Sequence, residues 1–276
     1  MFIKRSRPIF LVFLSLQKEF KIRQLSKFPQ ITLSFWIMKI CATTLGETAG
    51  DLFSMTLKAG YAVTTLVLSS LLLIVLFFQL ISKEYKPLLF WSVILLTSTA
   101  GTTMSDYMDR TLELGYLNGS LILVALLVTT LAAWKANTGS LSVASIDNGK
   151  SEIFYWTAIL FSNTLGTALG DFLSDSSGLG FQGGAFLIGS LLIIISLTYF
   201  FSRVSRVFLF WTAFILTRPY GAEIGDLLTK PEDKGGLNLG TLNSSLVLLA
   251  ILGFYIFLAV MKQHKKIPLA VDDDFS

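Results

Sequence analysis

Four segments of the chain align without gaps: FWIMKICATTLGETAGD, FWSVILLTSTAGTTMSD, YWTAILFSNTLGTALGD and FWTAFILTRPYGAEIGD. Their tryptophans are Trp36, Trp91, Trp156 and Trp211. Ten positions on stands a glycine (Gly46, Gly101, Gly166, Gly221), fifteen on an aspartate (Asp51, Asp106, Asp171, Asp226) and twenty-four on another glycine (Gly60, Gly115, Gly180, Gly235). Self-similarity at this period means one supersecondary unit used four times, each copy covering the apolar face of its neighbours. The tryptophans are spaced by 55, 65 and 55 residues, so the first two copies form a unit repeated as the third and fourth, an ABAB order.

Hydropathy supplies the solvent. Hydrophobic residues make up 53% of the 276 and charged ones 14%, with mean hydropathy +0.67. Soluble domains carry about a quarter charged residues. At about 20 residues per spanning helix, the length holds eight spans with short loops. Motif-bearing helices are expected near residues 31–55, 87–108, 152–174 and 206–228, and plainer ones near 61–82, 114–134, 182–201 and 239–261. The expected fold is an all-α membrane protein with eight transmembrane helices. Two spans per copy return the chain to its starting side, so the four two-helix repeats are parallel about an axis along the membrane normal, with pseudo-two-fold symmetry. The expected division is a basic extension (1–30), repeats over 31–84, 85–150, 151–205 and 206–262, and a C-terminal tail (263–276).

Charge gives the orientation. With the N-terminus inside, cytoplasmic segments hold 16 lysines and arginines and the outer loops four: Lys58, Arg110, Lys230 and Lys234. That bias places both termini in the cytoplasm and the chain in the inner or plasma membrane. Residues 1–30 alone carry +6, so the basic balance reflects a tail attracted to an anionic leaflet, not a nucleic-acid surface. Residues 8–16 are apolar but too short to span and lack a cleavage site, which suits an interfacial extension or a start codon placed too far upstream. A single cysteine (Cys41) and a single histidine (His264) exclude a zinc site of the usual kind. There is no Walker loop, and no resident cofactor is expected.

The four copies, each with its signature tryptophan, resemble a bacterial integral membrane protein family built from four tandem two-helix repeats of unknown function. The resemblance covers residues 31–262 and implies fold and membrane location without an activity.

Function therefore rests on the polar residues. On the first motif helix Thr43, Glu47, Asp51 and Ser54 share one face. Equivalent stripes are Ser98, Thr102, Asp106 and Asp109 in the second copy and Asn163, Thr167, Asp171 and Ser174 in the third. The fourth has Arg218, Ala222, Asp226 and Thr229, with Glu223 one position off the stripe. In lipid such stripes must face the bundle interior or water. At about 1.5 Å per residue, each aspartate lies roughly 22 Å from its tryptophan, in the outer third of the bilayer, where four solvated helix-capping acids are the plain alternative. Glu47 and Glu223 lie deeper. Arg218 is deeper too, and an unpaired arginine there is costly, so it should pair with Glu47, Glu223 or a repeat aspartate. Pro219 should kink its helix. Lys39 sits near the cytoplasmic end, where it is expected to snorkel.

Three readings follow. In the first, the chain transports a small cation, as transporter or channel: Asp51, Asp106, Asp171, Asp226, Glu47 and Glu223 would attract, coordinate or select a divalent metal ion such as Mn²⁺, Mg²⁺ or Ca²⁺, or carry protons, with Arg218 setting the charge balance. The second is a non-transporting scaffold or sensor held together by packing glycines and tryptophans. An intramembrane enzyme is the third. Gly-Asp at a helix end resembles the Gly-x-Gly-Asp element of intramembrane aspartyl proteases, but Thr48, Thr103, Ala168 and Glu223 replace its first glycine, so no enzyme is expected. The expected partners are the lipid bilayer and a small cation, with no nucleic acid, and the repeats allow one pore per chain or a homo-oligomer.

Overall fold

The computed structural model describes residues 27–146 and 148–265. The interfacial extension at residues 8–16 and most of the C-terminal tail lie outside them. Among the described residues there are eight long helices and no strands: α1 (Leu33–Asp51), α2 (Tyr61–Ile81), α3 (Pro87–Asp106), α4 (Gly115–Thr138), α5 (Gly149–Asp171), α6 (Gly180–Phe201), α7 (Arg206–Thr229) and α8 (Thr241–Lys265).

The odd helices form a closed inner ring, in which α1 packs on α3 and α7, and α5 packs on the same two. The even helices lie outside: α2 on α3, α4 on α5, α6 on α7 and α8 on α1. This division follows from side-chain chemistry. Even helices are predominantly apolar and leave Leu66, Ile74, Leu121, Phe186, Ile193 and Val247 exposed. Soluble proteins rarely present contiguous apolar surface on that scale. Among the described residues five helices are long and apolar enough to cross a membrane, the four even ones and the α3 segment Pro87–Thr111. The other odd helices bury Lys39, Glu47, Glu152, Arg218 and Glu223 together with many Ser, Thr and Gly residues, and fall below the same measure of hydropathy.

Close approach of the odd helices rests on the glycine ten positions after each tryptophan. The residue seven after the next tryptophan sits on it: Ser98 on Gly46, Asn163 on Gly101, Arg218 on Gly166 and Thr43 on Gly221. A β-carbon on Gly46, Gly166 or Gly221 would collide with the seated side chain, and on Gly101 it would lie 3.0 Å from the Thr164 nitrogen. These are small-residue seats for neighbouring backbones, the means by which helices associate where water drives nothing. The helices run unbroken through these glycines, and α7 continues through Pro219.

The N-terminal ends of the odd helices are closed by aromatic side chains. The ring preceding each tryptophan packs on the tryptophan of the next copy: Phe35 on Trp91 (5.7 Å between centroids), Phe90 on Trp156 (5.5 Å), Tyr155 on Trp211 (6.2 Å) and Phe210 on Trp36 (5.9 Å). The opposite ends are built differently. Directly after Asp51, Asp106 and Asp171, α1, α3 and α5 each widen into one π-helical turn (Leu52–Thr56, Tyr107–Thr111, Phe172–Ser176). In the fourth copy Lys230-Pro231 ends the helix instead. The glycine twenty-four after each tryptophan has positive φ, from 64° at Gly180 to 84° at Gly235, and reverses the chain there without the steric cost of a β-carbon.

Candidate functional site

Three polar tiers fill the inner ring beyond the aromatic closure. In the first, the Lys39 ammonium donates to Asn163 Oδ1 at 3.2 Å and lies 4.2 Å from the centre of the Phe214 ring. Asn163 in turn donates to Thr97 Oγ1 at 3.0 Å. Lys39 is fully buried, which overturns the expectation that it snorkels. The aromatic tier lies across its way to the headgroups, and an amide oxygen and a ring face take the place of water.

The second tier is centred on Arg218, which has 0% exposure. Its Nη2 donates to Glu47 Oε2 at 3.0 Å, to Thr102 Oγ1 at 2.5 Å and to Thr167 Oγ1 at 2.6 Å. One residue from each of the four odd helices thus meets at this point. Its Nε and Nη1 have no hydrogen-bond partner among the described residues. Thr43 donates instead to backbone carbonyls, including Thr217 O at 3.1 Å, and Ser98 is buried against Gly46. The stripe residues Thr43, Ser98 and Asn163 are therefore packing or bridging groups around this pair, whereas Thr102 and Thr167 touch it.

The third tier holds the four repeat aspartates. All are buried, at 3–5% exposure, so they are not solvated helix caps. They are shared in twos. Lys230 Nζ lies 2.7 Å from Asp51 Oδ2 and 3.1 Å from Asp226 Oδ1. Arg110 Nε lies 2.9 Å from Asp106 Oδ1, and its Nη2 lies 3.1 Å from Asp171 Oδ2. Each base stands four residues after an aspartate and folds back onto it. Each pair of carboxylates shares a single base. Lys230 stands just past the end of α7. Burial opposes its charge, but Asp226 and Asp51 outweigh burial and hold the ammonium well above the ordinary lysine range.

Glu47 joins the second tier to the third. One carboxylate oxygen from each of Glu47, Asp51 and Asp226 lies within 4.8 Å of the others, a set of oxygen ligands that suits a hard cation. Asp106 and Asp171 stand apart from it, around Arg110. Glu223 joins neither group: its carboxyl lies against Gly184 of α6. Arg110 and Lys230 are the residues at these carboxylates that loop counting missed. Their signal was legible as Asp-x-x-x-Arg and Asp-x-x-x-Lys at the same place in the second and fourth copies.

The family described as Repeat of Unknown Function (DUF347) matches the chain four times, over residues 34–85, 89–140, 154–205 and 209–265. No curated protein and no solved structure matches the chain.

Proposed function

The chain belongs to the DUF347 repeat family, and we propose that it is an integral membrane transporter or channel for a small cation, either a divalent metal ion or a proton. All eight helices span the inner or plasma membrane in this reading, with both termini cytoplasmic and the two halves related by a pseudo-two-fold axis. The observation that carries it is the oxygen cluster of Glu47, Asp51 and Asp226, which already receives a cationic group in the Lys230 ammonium. Positive charge is scarce around it: Glu47 shares Arg218, and the two aspartates share one lysine. A metal ion would enter from the acidic end and compete with Lys230 for the same oxygens. The aromatic tier would close the other end until the odd helices move.

The scaffold reading draws on the glycine seats and the aromatic tier, which hold the ring together without any ion. Flux separates the two. Proteoliposomes loaded with a divalent-metal dye and a pH dye should report cation entry with the native chain. Asp51→Asn/Asp226→Asn should abolish it while leaving the protein folded. Folded native protein that moves neither ion returns the weight to the scaffold.

A further inference from the structure

Glu223 is 1% exposed, and neither of its carboxyl oxygens has a hydrogen-bond partner among the described residues. It is the only described acid of which both statements hold. Its side chain fills a notch made by Gly184, where a β-carbon would collide with the carboxyl group. The charged groups bearing on it are all acids: Asp171 of α5, Asp175 in the π turn beyond α5, and Glu47 of α1. The facing helix α6 contains no Asp, Glu, Lys or Arg, and α8 has none before Lys262. On its own helix, Arg218 is committed to Glu47, and Asp226 lies with Lys230. A buried ionised carboxylate with no hydrogen-bond partner and only acids about it is a state that proteins avoid by neutralising the group.

We propose that Glu223 is a proton-binding site and that its proton is exchanged against the cation taken up at Glu47, Asp51 and Asp226. The proposal rests on the cation-transport reading and adds its coupling. The cation cluster lies one helical turn from Glu223: its ligand Asp226 stands three residues on along α7, and Glu47 packs against Gly225 between them. A divalent cation arriving at the cluster cancels part of the negative field there, and Glu223 then releases H⁺ and becomes the carboxylate. Loss of the cation restores the field, and the carboxylate takes the proton back. The Gly184 notch keeps the acid buried between these events.

Infrared spectroscopy of the full chain in lipid nanodiscs tests the site without transport. The native protein should show a protonated-carboxyl C=O band that is lost in Glu223→Gln, shifts in Glu223→Asp and weakens when Mn²⁺ is added. In proteoliposomes, Mn²⁺ entry through the native chain should drive protons the opposite way, and Glu223→Gln should pass Mn²⁺ down its gradient with proton movement lost. Identical carboxyl bands in native and Glu223→Gln protein would overturn the proton site. Mn²⁺ entry through the native chain without proton movement would overturn the coupling. A Glu223 band in a native protein that passes no cation would leave the proton site standing and sink the transport reading instead.

Discussion

Arg218 is held by what surrounds it rather than by solvent. It is wholly buried, and Glu47 is the one carboxylate within ion-pair distance of it among the described residues. The sequence narrowed its partner to Glu47, Glu223 or a repeat aspartate. Geometry selects Glu47 because Arg218 and Glu47 face the same axis, with Thr102 and Thr167 completing the shell, whereas Glu223 turns toward α6. Removing one member of a buried ion pair strands the other charge and costs about 3–5 kcal/mol, while replacing both by apolar groups of similar shape is often neutral. Glu47→Leu should therefore lower stability by about that amount, and Glu47→Leu/Arg218→Met should recover most of it. Thermal unfolding in detergent, run as a double-mutant cycle, measures the coupling, and additive losses would show that the pair is not a unit. Lys39 shows where reading by residue type fails: its position along the helix suggested snorkelling, but the groups that bury it, Asn163 and Phe214, come from two other copies.

At the scale of the helix, the repeat reads as a set of contacts made with the next copy. The glycine ten after the tryptophan receives the residue seven after the following tryptophan, and the aromatic before each tryptophan packs on the following tryptophan. Two glycines separate this role from helix propensity. Gly166 meets the Arg218 side chain, while Gly253, inside α8 with ordinary φ, has nothing within 4 Å of its missing β-carbon. Gly166→Ala should destabilise by about 1–3 kcal/mol through overpacking and also displace Arg218 from Glu47. Gly253→Ala should be neutral or gain up to about 1 kcal/mol from the better helix former. Paired unfolding curves decide this, and equal effects at the two sites would refute the seat. Helix positions and the small-residue seats were legible because they follow from period and hydropathy. The π turns after Asp51, Asp106 and Asp171 were not, since their wider hydrogen bonding, such as Leu57 N to Leu52 O at 2.8 Å, has no residue-type signature.

For the whole molecule, the tiers follow one order along the inner helices. Aromatic rings close the N-terminal ends of the inner helices, a lone lysine and an arginine–glutamate pair hold the middle, and aspartate pairs with one base each stand at the other end. The stripes gave this end its acids from sequence alone. What periodicity left out was that Arg110 and Lys230 fold back over them, because a base four residues after an aspartate reads equally as loop charge until the helix ends are placed. Three carboxylates brought within reach of one another, Glu47, Asp51 and Asp226, make the folded protein a better host for cations than its unfolded chain, in which the same acids are separated and hydrated. Ligands that bind only the folded state stabilise it, by about 2.7 kcal/mol at a free concentration one hundred times Kd. Mn²⁺ or Ca²⁺ should therefore raise Tm of the detergent-solubilised protein in a concentration-dependent way, and choline at equal ionic strength should not. Asp51→Asn/Asp226→Asn should remove most of that rise, because it dismantles the cluster that Glu47 completes. Asp106→Asn/Asp171→Asn, at the pair that lacks a third carboxylate within reach, should remove less. A rise in Tm that survives Asp51→Asn/Asp226→Asn undiminished would place the cation elsewhere and remove Glu47, Asp51 and Asp226 as its ligands.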